Sequence, residues 1–157
     1  MGDAKGFTLL ELIVVVVVLG VLAAVAIPRF MDVREDSRMV IVQTFEDSLR
    51  SSVESVKTKS QLEGVNMRRA DQFVDWNGDG DSDDGDGVDL RLDFGYPEAS
   101  SHGVDLVIDD IGGFRVVSRH NVRFYHFDSL PDCYVSYRGP QSASERAVVD
   151  SVISGCE

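Results

Sequence analysis

The sequence predicts an α+β fold: a long N-terminal helix packed on a small C-terminal antiparallel sheet. Three observations lead there. An apolar run from Phe7 to Ile27 passes into an amphipathic stripe that reaches about Lys59. Short runs rich in β-branched and aromatic residues follow at 114–117, 122–127 and 133–137. The two cysteines, Cys133 and Cys156, both lie near the C-terminus.

Size and charge bound the rest. A chain of 157 residues suits one globular domain plus an anchor. The formal net charge of -12 argues against nucleic acid as a partner, because phosphate contacts need clustered Lys and Arg. Strong acidity points instead to solubility, self-repulsion and an affinity for cations.

The run from Phe7 to Ile27 is long enough to span a bilayer, since about twenty helical residues cross a hydrocarbon core of about 30 Å. Valines dominate it and are modest helix formers in water. In lipid the backbone must satisfy itself, and a lone segment does so as a helix. Gly20, Ala23, Ala24 and Ala26 form a small-residue face for close helix contacts. Pro28 lacks an N–H and is expected to kink or loosen the helix. Glu11 is the one carboxylate in the run. Placing it in lipid costs roughly 2.5 to 3.5 kcal/mol on insertion scales, so it needs a partner. Nothing else in the apolar stretch offers one, and the partner is expected on another molecule.

Residues 1–6 are short and polar and include Lys5. A cleavable secretory signal carries its small-residue site after the apolar core, where Ala23-Ala24 imitates one. Here the charged, small-residue junction precedes the core. Gly6-Phe7-Thr8-Leu9-Leu10-Glu11 followed by an apolar run resembles the class III signal of type IV pilins and pseudopilins. The resemblance implies that a prepilin peptidase cuts between Gly6 and Phe7 and methylates the new Phe7 amine. It implies that Glu11 neutralises the Phe7 amine of a neighbouring subunit. In pilins the segment before a proline placed like Pro28 can melt on assembly. The implied organisation is a cleaved leader 1–6, a transmembrane and filament-core helix 7–28, and a pilin head 29–157. The implied location is the bacterial inner membrane, leader cytoplasmic and head periplasmic, and then an extracellular pilus. The implied partners are identical or related subunits, the peptidase, the pilus assembly machinery and the membrane.

After Pro28 the pattern becomes amphipathic. Val33, Ser37, Val40, Ile41, Thr44, Phe45, Ser48, Leu49, Ser52, Val53 and Val56 recur at three- and four-residue steps. They mark one helix face over 29–59, set against a sheet by its small residues. A coiled coil is the alternative, which the serines weaken. Gly64 is the expected stop.

The stretch 75–89 is acidic. Asp75, Asn77, Asp79 and Gly80 occupy positions one, three, five and six of a calcium loop. Asp81 would offer its carbonyl, and Asp83 a side chain or bridging water. Asp86 stands where an EF-hand places a bidentate Glu, a departure that resembles dockerin-type loops. The bland alternative is a solvated Gly-rich turn. Seven aspartates between Asp75 and Asp89 would repel one another at about 1 to 3 kcal/mol per close pair without a counterion. Calcium is therefore the expected cofactor, and magnesium, which demands a tight octahedron, fits less well.

Beyond the loop, Val104, Val107, Ile108 and Ile111 follow helical spacing, with Ser100 or Ser101 as cap and Gly112-Gly113 as stop. A short strand is the alternative. Strands are expected over 114–117, 122–127 and 133–137, with a last one over 147–153. Asn121 and Pro131-Asp132 mark turns. In an exported domain two cysteines read as one disulfide, Cys133 with Cys156, against the alternative of two buried thiols. The bridge would add roughly 3 kcal/mol in the chain-entropy model. Type IV pilins commonly staple this region. Ala26-Ile27-Pro28-Arg29-Phe30, Phe94-Gly95-Tyr96-Pro97 and Pro131-Asp132-Cys133-Tyr134-Val135-Ser136-Tyr137 resemble the mannose-sensitive haemagglutinin type of pilin.

No catalytic constellation is legible. His102, His120 and His126 lie on different segments, and no phosphate loop, nucleophile elbow or zinc spacing occurs. The expectation is a structural subunit of an adhesive type IV pilus. The rivals are a type II secretion pseudopilin, which generally lacks the disulfide, and a membrane-anchored calcium-binding module.

Overall fold

The computed structural model describes residues 8–82, 89–128 and 130–157, and of residues 25–35 the backbone alone. The chain divides into two compact units, Met1–Ser37 and Arg38–Glu157. One helix, α1 (Leu9–Leu62), contributes to both. Its end is legible in Gly64, which takes φ 74°. Gly64 N donates to Gln61 O at 3.2 Å and Val65 N to Ser60 O at 2.9 Å, the paired bonds of a Schellman stop.

In the first unit every large apolar side chain from Leu9 to Leu22 is exposed, from 44% at Val15 to 75% at Leu9. Among the described residues no helix is long and apolar enough to cross a membrane. The span expected over 7–28 extends outside those residues at Phe7, and outside the described side chains from residue 25 onward. The helix is unbroken across residue 28.

In the second unit α1 buries Val42, Leu49, Val53, Val56 and Ser60, with Met39 and Phe45 packed alongside. This corrects the expected stripe. Phe45, Leu49, Ser52, Val53 and Val56 do face inward, but Ser37, Val40, Ile41, Thr44 and Ser48 are exposed. At about 100° per residue, Val40 lies half a turn from Leu49, so it cannot share that face.

Two sheets cover this half of the helix. The first is three-stranded, in the order β1 (Gln72–Val74), β2 (Leu90–Asp93), β3 (Tyr96–Pro97). It was not expected from the sequence. Its β2–β3 hairpin turns on Phe94 and Gly95, both at positive φ (53° and 83°), the twist a two-residue hairpin prefers. A Cβ on Gly95 would also lie 2.0 Å from Met67 Cε. Ser60 Oγ at the helix end reaches Gly95 O at 3.1 Å.

The second sheet is an antiparallel meander of β4 (Phe114–Arg119), β5 (Val122–Phe127), β6 (Tyr134–Arg138) and β7 (Val148–Val152). These are the four strands expected. Registers Val116↔Tyr125, Tyr125↔Val135 and Tyr137↔Val149 place those residues on one face, and it packs into the core. Phe45 of α1 stacks on Phe114 at 4.4 Å and meets Tyr125 edge-on at 5.3 Å. The buried Tyr137 hydroxyl donates to Pro97 O at 2.5 Å and joins the two sheets.

The helix expected over 104–111 is a single 3₁₀ turn, Val104–Val107, followed by extended Ile108. Gly103 precedes it without a side-chain cap, so neither Ser100 nor Ser101 has the expected role. Gly112-Gly113 leads into β4 instead of ending a helix, with Phe114 N donating to Ile111 O at 2.9 Å. Cys133 and Cys156 form the disulfide, with Cα atoms 4.8 Å apart, and both are fully buried.

Candidate functional site

The N-terminus of α1 is built by Thr8-Leu9-Leu10-Glu11. Glu11 N donates to Thr8 Oγ1 at 3.3 Å, and Thr8 Oγ1 lies 3.4 Å from Glu11 Oε2. A threonine with a glutamate three residues on is the sequence signature of a helix start, and the hydroxyl satisfies one otherwise orphaned amide. The inference that Glu11 has no partner within its own chain is therefore corrected: Thr8 supplies a weak one. Glu11 also places a negative charge at the positive end of the helix dipole. Gly6 and Phe7 lie outside the described residues.

The acidic loop winds around Asp75. Its Oδ1 accepts Gly78 N at 2.5 Å and its Oδ2 accepts Gly80 N at 3.0 Å. Gly78 and Gly80 take φ 83° and 97°, which permits the return of the chain. Asn77 Oδ1 accepts Asp79 N at 3.0 Å, and Asp79 Oδ1 accepts Asp81 N at 3.1 Å. Asn77 Nδ2 donates to Asp79 Oδ2 at 2.7 Å. The buried Asp89 anchors the far side by accepting Trp76 N at 3.0 Å. Among the described residues no three acidic, His or Cys side chains converge as a metal site. Asp83 and Asp86 lie outside the described residues. The described half, residues 75–82, thus folds as a series of turns closed by Asx side chains.

Residues 1–27 match the prokaryotic N-terminal methylation motif. A type IV narrow pilus major component of Thermus thermophilus is 43% identical over 49 residues, 31% of this chain and 42% of that protein. A type IV major fimbrial protein of Dichelobacter nodosus is 33% identical over 74 residues, 47% of this chain and 44% of that protein. Its N-terminal region is thus similar to that of type IV pilins and fimbrial proteins. A fimbrial protein of Pseudomonas aeruginosa is 39% identical over 55 residues, covering 35% of this chain and 36% of its own. The matched region spans less than half the length of each of these relatives. No solved structure matches significantly.

The second unit contains a polar group that sequence reasoning missed. Asp105, on the 3₁₀ turn, accepts Arg123 Nε at 3.1 Å and the Tyr125 hydroxyl at 2.7 Å through one oxygen. Its other oxygen pairs with Arg123 Nη2. Asp105 holds the Arg123 guanidinium above its ordinary value. Burial, and then Asp105, push the Tyr125 phenol well above its own. The inward parity of β5 was the available signal, since an inward arginine needs an acid. Nothing in the sequence said which aspartate would provide it. The histidines remain separate: His102 is exposed, His120 sits in the β4–β5 turn at φ 53°, and His126 lies on β5 with Nδ1 3.2 Å from Leu130 O.

Proposed function

We propose that the chain is a structural subunit of an adhesive type IV pilus. In this reading residues 7–28 anchor an inner-membrane precursor, and the prepilin peptidase removes residues 1–6 between Gly6 and Phe7. The assembly machinery then draws subunits into a filament whose core is the bundled apolar helices. The supporting observation is an apolar helix segment, exposed from Leu9 to Leu22, that carries Glu11 in its first turn within the matched methylation motif. Apolar surface of that extent calls for lipid or neighbouring helices to cover it. Association between lipid-soluble helices gains little from hydrophobic burial, so pairing of Glu11 with a neighbour's Phe7 amine supplies register. The names of the relatives and the Cys133–Cys156 bridge support a pilus over a pseudopilus.

Thr8 makes the test sharper. Glutamine at position 11 keeps the helix-start pattern and removes the charge. Glu11→Gln is expected to leave membrane insertion and head folding intact but to impair filament yield as severely as Glu11→Ala. Normal pili from Glu11→Gln would reduce Glu11 to a local cap.

The reading also includes one calcium in the loop 75–89, through Asp75, Asn77, Asp79, the Asp81 carbonyl, Asp83 and Asp86. Its support is the left-handed Gly80 at the sixth position, folding back on Asp75 at the first. Millimolar calcium is expected to raise the melting temperature of the full chain in detergent and to shift Trp76 emission. No change in either would remove the metal.

A further inference from the structure

The four-stranded sheet has a second face, turned away from the core. Alternation along β4, β5 and β6 puts Arg115, Arg119, Phe124, His126 and Tyr134 on it, opposite the buried Tyr125 and Val135. The three rings touch. Phe124 lies 5.6 Å from Tyr134 and 6.2 Å from His126, and His126 lies 5.0 Å from Tyr134. They floor an open groove of about 460 Å³ that Arg115 and Arg119 border, with Asp132 also on its wall. The two arginines are four residues apart on one strand, so about 13 Å separates their origins. Both are exposed, and among the described residues no carboxylate pairs with either. In a chain of net charge -12 this is a concentration of uncommitted positive charge. His126 Nδ1 lies within hydrogen-bond distance of Leu130 O, which can only accept, so in the neutral imidazole Nδ1 is the donor and Nε2 the acceptor.

We propose that this groove binds a uronic-acid-bearing oligosaccharide. Each part of such a ligand has a counterpart. A sugar ring presents C–H groups, which pack on the negative faces of aromatic rings. Its carboxylate takes a guanidinium fork from Arg115 or Arg119. Its hydroxyls donate to Asp132 and to His126 Nε2. An apolar floor with a few polar groups at its rim is the usual make-up of a small-ligand site. Asp132 also decides against the other polyanion that arginines and aromatics attract. A DNA backbone offers charged acceptors but no hydroxyl donor for that carboxylate, whereas a uronic sugar brings several. The inference does not depend on filament assembly.

Titration calorimetry on the full chain in detergent, with digalacturonic acid as the probe, tests it. Digalacturonic acid is expected to bind at least about tenfold more tightly than its neutral counterpart, galactobiose. The double variant Arg115→Gln/Arg119→Gln is expected to lose that preference with an unchanged melting temperature, because both side chains are exposed. Phe124→Ala is expected to weaken both sugars. Three results would overturn the proposal: no heat up to about 10 mM digalacturonic acid, binding unaltered in the double variant, or tighter arginine-dependent binding of a single-stranded oligonucleotide.

Discussion

Between Leu9 and Leu22 α1 exposes every large apolar side chain by at least 44%, whereas further along it Val42, Leu49, Val53 and Val56 are buried to 3% or less. The more apolar segment is the less buried one. A helix that is apolar all round has no polar side to give to water, so burial on one face alone cannot satisfy it. The later segment carries a narrow stripe that two sheets cover, with charged residues on its remaining surface. Apolar content therefore marks where covering is needed. Only the periodicity of that content shows whether the chain's own fold can supply it.

Truncating the same residue type in both segments is the strongest way to break this comparison. Leu49→Ala is expected to destabilise the head by about 3 to 4 kcal/mol, by leaving a cavity in the core. Leu19→Ala should leave head stability unchanged in detergent. Denaturant unfolding of the full chain reads both, and equal effects would break the distinction.

Removing the bridge sharpens the same contrast. Cys133→Ala/Cys156→Ala should cost the head roughly 3 kcal/mol, given its sequence separation of 23. Helicity of the first segment should be unaffected in far-ultraviolet circular dichroism, since neither cysteine belongs to that unit. A loss of helicity there would mean that the two units fold as one.

The smallest expected effect is alkaline. Burial raises the phenols of Tyr125 and Tyr137 above their ordinary value. The unfolded chain ionises them near pH 10, and the folded head resists. Their contribution is thus complete below about pH 10 and is lost as the pH climbs further. The slope is up to about 1.4 kcal/mol per pH unit for each phenol. Tyr125→Phe should remove one phenol's share of that slope, read as the denaturant midpoint against pH. An unchanged slope would show that Tyr125 titrates normally in the folded head.

Much of this architecture was legible because it is local. The course of α1 follows from the apolar run and the stripe after it, and its stop from Gly64. The four strands β4 to β7 follow from runs of β-branched and aromatic residues. The first sheet escaped notice because β1 and β3 are three and two residues long, too short for a periodic pattern. The segment after Gly103 suggested a helix because its apolar spacing fits one, but Ile108 is extended after one 3₁₀ turn. Of the ligands expected in the loop, Asp75, Asn77, Asp79 and Asp81 lie within the described residues and make turn hydrogen bonds. Asp83 and Asp86 lie outside the described residues.

By itself the sequence determined the N-terminal methylation motif, the length of the helix and the main sheet, and it left Cys133 and Cys156 as either a bridge or two buried thiols. Only the tertiary structure decided that Val42 and not Val40 faces the core, that Asp105 receives Arg123 and Tyr125, and that Phe124, His126 and Tyr134 share an outer face between arginines. The reason is physical. Hydrogen bonds and periodicity act over a few neighbouring residues and leave a mark in the sequence. The phase of a helix and the partner of a buried charge depend on which distant surface packs against them.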